Sequence, residues 1–402
     1  MPEPKGLEAA VRPDTPDGVF AALDALPGGA SGAEVWAALG AGGAGRAGGG
    51  ISRAYRDGSV RAGLDPDGLA DVLSALDARF SVAATLSASV QLATALPVLA
   101  AGGGPVVEAA LSGALSGRTT VALAATDVTA GTDLTGLRTE VRLAGDGNED
   151  GDGEVAGVWV SGEKQWIANA TTAASFLVLA RHRPGRHFTD FTWVLVPADA
   201  PGVTVRPAPS ALFADSGVGH AEFDAVALSR EHVVGRVGLG LPLFARHIAG
   251  ERLAGALWGV ALCRRVLADT HRRLSGRAHG TGTLWDLDHV RQRFARCLVR
   301  VQELQALAEC RSEAVAVRYD ASAAATLKAA AGATVTDVLG ECAQWWGSAG
   351  FATGGIQEVR AQAALFGIGG GATEVVLDTV ADHAGRLLDA LTRPGTLPRG
   401  NP

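Results

Sequence analysis

The sequence predicts an α+β fold in three parts: an N-terminal helical domain, a small central β-barrel domain and a C-terminal helical bundle. Two changes of hydrophobic period mark the joins. Up to about residue 118 apolar residues recur at three and four, as Leu69, Val72, Leu73 and Leu76 do. Seven short β-branched or alternating segments then follow, separated by Gly, Pro and Asp turns. From about Leu241 the 3.6-residue period returns. The expected domains are 1–118, 119–237 and 238–402.

Residues 1–50 are rich in Gly, Ala and Pro, with short helical stretches near Val19–Leu26 and Ala33–Leu39. Helices are expected over 66–118, where Val90, Leu92 and Leu96 continue an apolar run that Pro97 and Gly102-Gly103-Gly104 should break. The strand candidates are Thr119–Ala125, Leu137–Leu143, Val155–Val160, Phe176–Ala180, Phe191–Val196, Val203–Arg206 and His220–Val226. Short strands at this spacing suggest an antiparallel barrel or sandwich. Gly145–Gly157, with five acidic residues, reads as a solvated hairpin loop. In the bundle, Leu253, Leu257, Val260, Leu267 and Leu274 form one stripe, and Val290, Phe294, Cys297, Val301, Leu304 and Ala308 another. Further helices are expected over 321–346 and 373–392.

Composition limits the function. Of 402 residues, 47% are hydrophobic and 19% charged, as in a globular protein with a large interior. A net charge of −7, and basic clusters no longer than Arg181-His182-Arg183, argue against nucleic acid as a partner. Cys263, Cys297, Cys310 and Cys342 lack C-x-x-C spacing and are expected as buried thiols in helices, neither disulfides nor zinc ligands. None of the nine histidines has metal-ligand spacing. No secretory signal and no run of about 18 uninterrupted apolar residues is evident, so a soluble cytoplasmic protein without membrane contact is expected.

Five segments carry chemistry. They are Thr126-Asp127-Val128-Thr129-Ala130-Gly131-Thr132-Asp133, Gly162-Glu163-Lys164-Gln165-Trp166-Ile167-Ala168-Asn169-Ala170, Glu251-Arg252-Leu253, Gln344-Trp345-Trp346-Gly347-Ser348-Ala349-Gly350-Phe351 and Ile368-Gly369-Gly370-Gly371-Ala372-Thr373-Glu374-Val375. In order and spacing they resemble T-E-P-G-A-G-S-D, G-x-K-x-W-I-T-N-A, E-R-L, Q-x-x-G-G-x-G-F/Y and I-Y-E-G-T-S-E-I of the acyl-CoA dehydrogenase family. The resemblance covers roughly residues 66–392.

The resemblance implies an FAD enzyme that oxidises an acyl thioester, bound to CoA or to an acyl carrier protein. A carboxylate removes the α-proton, hydride leaves the β-carbon for the flavin, and a backbone N–H stabilises the enolate. The family's base is the first Glu of the final signature, where this chain has Gly370. Glu251 stands where some members carry the base instead; the alternative is a carboxylate that caps or pairs at a helix start. Glu374 matches a Glu that is normally structural, and His247 lies one turn before Glu251.

For the cofactor, the resemblance places Thr126 at the flavin pyrimidine, Thr132 at the pyrophosphate and Trp166 beside the isoalloxazine; the other reading of Trp166 is a core residue on a strand. Ala168 replaces a Thr that contacts the flavin near N5. Arg277, Gln344 and Gly347 match positions at the adenosine-diphosphate half, while Asp288 replaces a Gln and Ser348 a Gly. Such sites use two subunits, which implies a homodimer or homotetramer, or pairing with a homologous partner chain. The same scaffold without its usual base also suits a flavin-dependent monooxygenase or a non-redox partner subunit.

Overall fold

The computed structural model describes residues 20–41, 49–144 and 157–392. The expected acidic loop lies outside the described residues except for Gly157, as does Val19 of the first helical stretch. The chain divides into two compact units, one ending at Glu251 and the other starting from Arg252.

The first unit opens with helices α1 (Ala21–Asp24), α2 (Gly32–Ala41), α3 (Gly49–Ser52), α4 (Pro66–Asp77), α5 (Val82–Val90), α6 (Leu96–Ala100) and α7 (Pro105–Leu115). Their starts follow from capping chemistry. Asp65 accepts from the Asp67 N–H ahead of Pro66, and Ser81 accepts from the Ala84 N–H. Leu69, Val72, Leu73 and Leu76 are fully buried, as their spacing requires. Pro97 does not break the apolar run. A π turn at Gln91–Ala95 joins α5 to α6 and absorbs the proline, whose missing N–H and bulky ring an α-helical register would not tolerate. Val82–Ala100 is long and apolar enough to cross a membrane, yet 89% of its most apolar window is buried inside the fold.

The β strands are β1 (Val121–Ala124), β2 (Glu140–Leu143), β3 (Val158–Ile167), β4 (Ser175–Arg181), β5 (Phe191–Pro197), β6 (Val203–Pro207), β7 (Gly219–Leu228) and β8 (Val233–Val234). They form one sheet in the order β6-β7-β3-β2-β4-β5-β8, with β1 also on β4. Most pairs are antiparallel, as short turns favour. Two are not: β1 runs parallel to β4 from Val121↔Ser175 to Ala124↔Val178, and β2 meets β4 in parallel at Glu140↔Arg181. Those partners are far apart in sequence, so no turn signal encodes their direction. Phe176 and Phe223 meet edge to face at 5.7 Å in a core of alternating inward residues such as Val160, Val178 and Val194.

Helix α8 (Gly240–Gly276) carries the boundary between the units. The second unit continues with the hairpin β9 (Ala278–His279) and β10 (Gly282–Thr283), then α9 (Asp288–Arg318), α10 (Ala321–Trp346), α11 (Ile356–Ala363), α12 (Thr373–Asp382) and α13 (Ala384–Thr392). The stripe Val290, Phe294, Cys297, Val301, Leu304 and Ala308 is buried, and α9 and α10 are also linked by the Arg300–Asp337 ion pair at 2.7 Å. The α9–α10 turn is made by Tyr319 in the left-handed region and by Asp320, which accepts from Ser322 and Ala323 N–H groups. The expected final helix is two, divided at His383. Cys263, Cys297 and Cys342 are buried, but Cys310 is exposed on α9, contrary to the expectation of four buried thiols.

Candidate active site

In the β domain, the loop after β1 and the end of β3 meet around two buried charges of opposite sign, Lys164 and Asp127, whose backbones form a β-bridge. Lys164 is fully buried, and its Nζ donates to the carbonyls of Ala125 (2.9 Å) and Leu179 (2.7 Å). Asp127 accepts from the N–H groups of Thr129, Ala130, Arg138 and Thr139. Burial pushes the Asp127 carboxyl up, but the bonds from Arg138 and Thr129, with the Lys164 charge, hold it below its ordinary value. Burial pulls the Lys164 ammonium down to about 7, against the opposing pull of Asp127. This pair fixes the Thr126–Asp133 loop to β3, and Thr126 Oγ1 donates to the Gln165 carbonyl at 3.0 Å.

That anchorage displays Trp166. Between Lys164 and Ile167 the β3–β7 register slips, and Trp166 takes φ +57°. Its indole is 58% exposed and packs edge to face on His220 at 5.2 Å. The core reading of Trp166 is therefore excluded. Ala168 is half-buried in the turn that follows, which Asn169 (φ +67°) pins through its amide to the Ser87 carbonyl. Thr132 lies exposed in its loop.

Also in this unit, Glu251 is half-buried on α8 and accepts a hydrogen bond from Thr94 Oγ1 at 2.9 Å. One turn earlier, burial and then the Arg246 charge pull the His247 imidazole down to about 4, so it is neutral at physiological pH.

In the second unit, the Gly367–Thr373 segment is clamped by two cations. Lys328 Nζ donates to the Gly367 carbonyl (2.8 Å) and to Thr373 Oγ1 (2.7 Å). Arg252 Nε donates to the Gly370 carbonyl at 2.9 Å. Gly370 (φ +72°) and Gly371 (φ +105°) both lie in the left-handed region, where a side chain is strained. Among the described residues no partner is found for the Gly370 N–H. Glu374 is exposed at the start of α12.

The same unit gathers positive charge near the end of α8. Arg273 stacks over Trp346 at 4.7 Å and donates to its carbonyl at 3.2 Å, while its buried Nε has no hydrogen-bond partner. Burial, then the neighbouring Arg277 charge, lowers its affinity for its proton. Gly347 follows Trp346 at φ +56°, with open space where a Cβ would stand. Gln344 is exposed, and its Oε1 accepts from Arg293 at 2.9 Å. Asp288 is exposed in the first turn of α9.

Two family models match the chain: the acyl-CoA dehydrogenase middle domain over residues 122–226 and the acyl-CoA dehydrogenase C-terminal domain over residues 238–385. The chain belongs to the acyl-CoA dehydrogenase family. An acyl-[acyl-carrier-protein] dehydrogenase, MbtN, of Mycobacterium sp. (strain MCS) is 29% identical over 278 residues, 67% of each chain. The acyl-CoA dehydrogenase apdG of Emericella nidulans is 28% identical over 302 residues, 70% of this chain and 65% of that one. Among solved structures, PigA with FAD and proline superposes with a TM-score of 0.79 at 17% identity, covering 92% of this chain and 95% of its own. Butyryl-CoA dehydrogenase from Megasphaera elsdenii gives 0.74 at 19% identity, covering 89% of each. These structures share the fold.

The residues present fit the FAD of an acyl-CoA dehydrogenase. An exposed, backbone-strained indole beside Thr126 offers a face to a flat ring system. The unpartnered Arg273 Nε beside Arg277 and the open Gly347 backbone suit a diphosphate. Sequence reading missed Lys328, Arg273 and Thr94. Only Lys328 left a trace, as a lone cation in the Ala-rich stretch of α10.

Proposed function

We propose that this chain is an FAD-dependent dehydrogenase of acyl thioesters in which Glu251 is the base. The observation that carries this reading is the Glu251 carboxylate, half-buried and oriented by Thr94, in a chain whose signature position is Gly370. Half-burial leaves the carboxylate reachable while reducing its solvation, as a general base requires. In the unit from Arg252, the Gly370 N–H has no partner among the described residues, and the Arg252 bond to the same residue's carbonyl holds it as a donor suited to developing negative charge. Bound FAD, which Thr126, Trp166, Arg273 and Gly347 are suited to hold, would supply the acceptor for the hydride that leaves the β-carbon. The proton at the α-carbon passes to Glu251 Oε.

The resemblance to acyl-carrier-protein dehydrogenases supports a carrier-protein thioester as substrate, with CoA thioesters the alternative. Three buried cysteines outside any disulfide accord with a cytoplasmic setting, and the family's shared-site habit with a homodimer or homotetramer.

The test is the flavin content of the purified protein together with Glu251→Gln. Near-stoichiometric FAD is expected in both proteins, with turnover of acyl-pantetheine, acyl-CoA and acyl-carrier-protein thioesters reduced at least ~100-fold in the variant. Turnover that survives the substitution would refute Glu251 as base.

A further inference from the structure

We propose that the π turn between α5 and α6 is a positioning device for the Glu251 carboxylate, acting through the Thr94 hydroxyl and the close approach of Gly250. This rests on the reading of Glu251 as base, and it names the residues that would set that base.

The device begins with Pro97. A proline there has no N–H for the Ala93 carbonyl, and the helix widens by one residue ahead of it. The Leu96 N–H bonds to the Gln91 carbonyl instead of the Leu92 carbonyl. The released Leu92 carbonyl accepts from the buried Tyr55 hydroxyl at 2.7 Å. Gln91, fully buried, clamps the backbone of Val121 through both amide atoms, at 2.6 and 3.3 Å. The turn is thus held on two sides by side chains whose hydrogen bonds, among the described residues, serve it alone. Its remaining polar side chain, Thr94, is fully buried and points its hydroxyl at Glu251 Oε2.

Gly250 makes that reach possible. A Cβ at residue 250 would stand 2.9 Å from the Ala93 carbonyl oxygen and 2.8 Å from a Leu64 methyl. Only glycine lets α8 lie so close to the turn, and the residue after it is Glu251. Pro97, Thr94, Gly250 and Glu251 are separated by more than 150 residues of chain in places, as the Thr94–Glu251 bond is, yet they meet through one local distortion. The groups against Gly250, Leu64 and the π turn, bring no charge; on α8 His247 is neutral, and Arg246 and Arg252 are the cations nearest Glu251 in sequence. The Thr94 hydrogen bond favours the ionised carboxylate over the neutral acid.

The experiment is a difference-infrared titration of the carboxyl stretch, with Glu251→Gln identifying the Glu251 band. Thr94→Val should raise the titration of Glu251 by about one pH unit, and Thr94→Ser should restore it. Gly250→Ala should move it in the same direction as Thr94→Val by pushing the turn off α8. With octanoyl-CoA as substrate and ferrocenium as acceptor, the acidic limb of kcat/KM should follow the infrared titration. An unchanged Glu251 titration in folded Thr94→Val, or a Thr94→Ser variant that behaves like it, would overturn the proposal. Turnover surviving in Glu251→Gln would instead sink the base reading, and the infrared comparison alone would then decide whether Thr94 sets the carboxylate.

Discussion

Trp166 combines two features that stability alone does not favour: a left-handed backbone and an indole left mostly in solvent. A left-handed conformation costs a residue with a side chain about 1–2 kcal/mol relative to glycine, and the exposed ring recovers little by burial. Strain of this kind persists where the surroundings over-determine it, and here the Lys164–Asp127 pair and Asn169 do so. The expected signature is a substitution with opposite effects. Trp166→Gly should raise the stability of the flavin-free protein by about 1 kcal/mol in denaturant unfolding while weakening FAD in a fluorescence titration. A loss of both, or a gain in stability with FAD affinity intact, would show that the ring serves another purpose. Trp166 was visible in the sequence as an aromatic at a motif position; its φ was not, because the slip in β3–β7 register depends on a partner strand far along the chain.

At the scale of elements, β-branched or alternating runs between turn residues located β1 to β7, and 3.6-residue stripes located α8 and α9; the period marks one buried face in β2, β7 and α9, whereas β4 and β5 are buried throughout. The two-residue β8, the parallel β1–β4 pairing and the π turn were not legible. Each is decided by a contact rather than by a local preference, and Pro97 read as a stop when its helix instead changed register. Within the β elements, Lys164 ties the β1 loop to β3 and β4, and this makes a prediction about pH. Its folded value of about 7 lies below the ordinary 10.5, so between those values the unfolded chain binds more protons. Stability should therefore rise with pH across that window, by on the order of a few kcal/mol, and be least favoured by this group at or below pH 7. Lys164→Met, followed by urea unfolding at several pH values, removes the term. The stability difference, wild type minus variant, should grow from pH 7 toward 10.5. A constant difference would mean that Lys164 holds its proton as tightly in the fold as in the unfolded chain, its burial fully compensated.

Across the whole molecule, each unit by itself carries groups that suit a part of FAD. The unit ending at Glu251 carries Trp166 and Thr126, suited to a ring; the unit from Arg252 carries Arg273, Arg277 and Gly347, suited to a diphosphate. Motif spacing made Arg277 and Gly347 legible, but not Arg273, whose role emerges only from its stacking on Trp346 and its unpartnered Nε. That division gives a test using two ligands. FAD contains the diphosphate and riboflavin does not, so removing a diphosphate contact should weaken one and spare the other. Arg273→Gln keeps a planar polar group but removes the charge. It should lower FAD affinity roughly tenfold or more, the effect of one charge-assisted hydrogen bond, and leave riboflavin affinity unchanged. Trp166→Gly should weaken both. If Arg273→Gln weakens riboflavin as strongly as FAD, the guanidinium supports the fold of the α8 end rather than a phosphate. If it weakens neither, the unpartnered Nε belongs to some other anion.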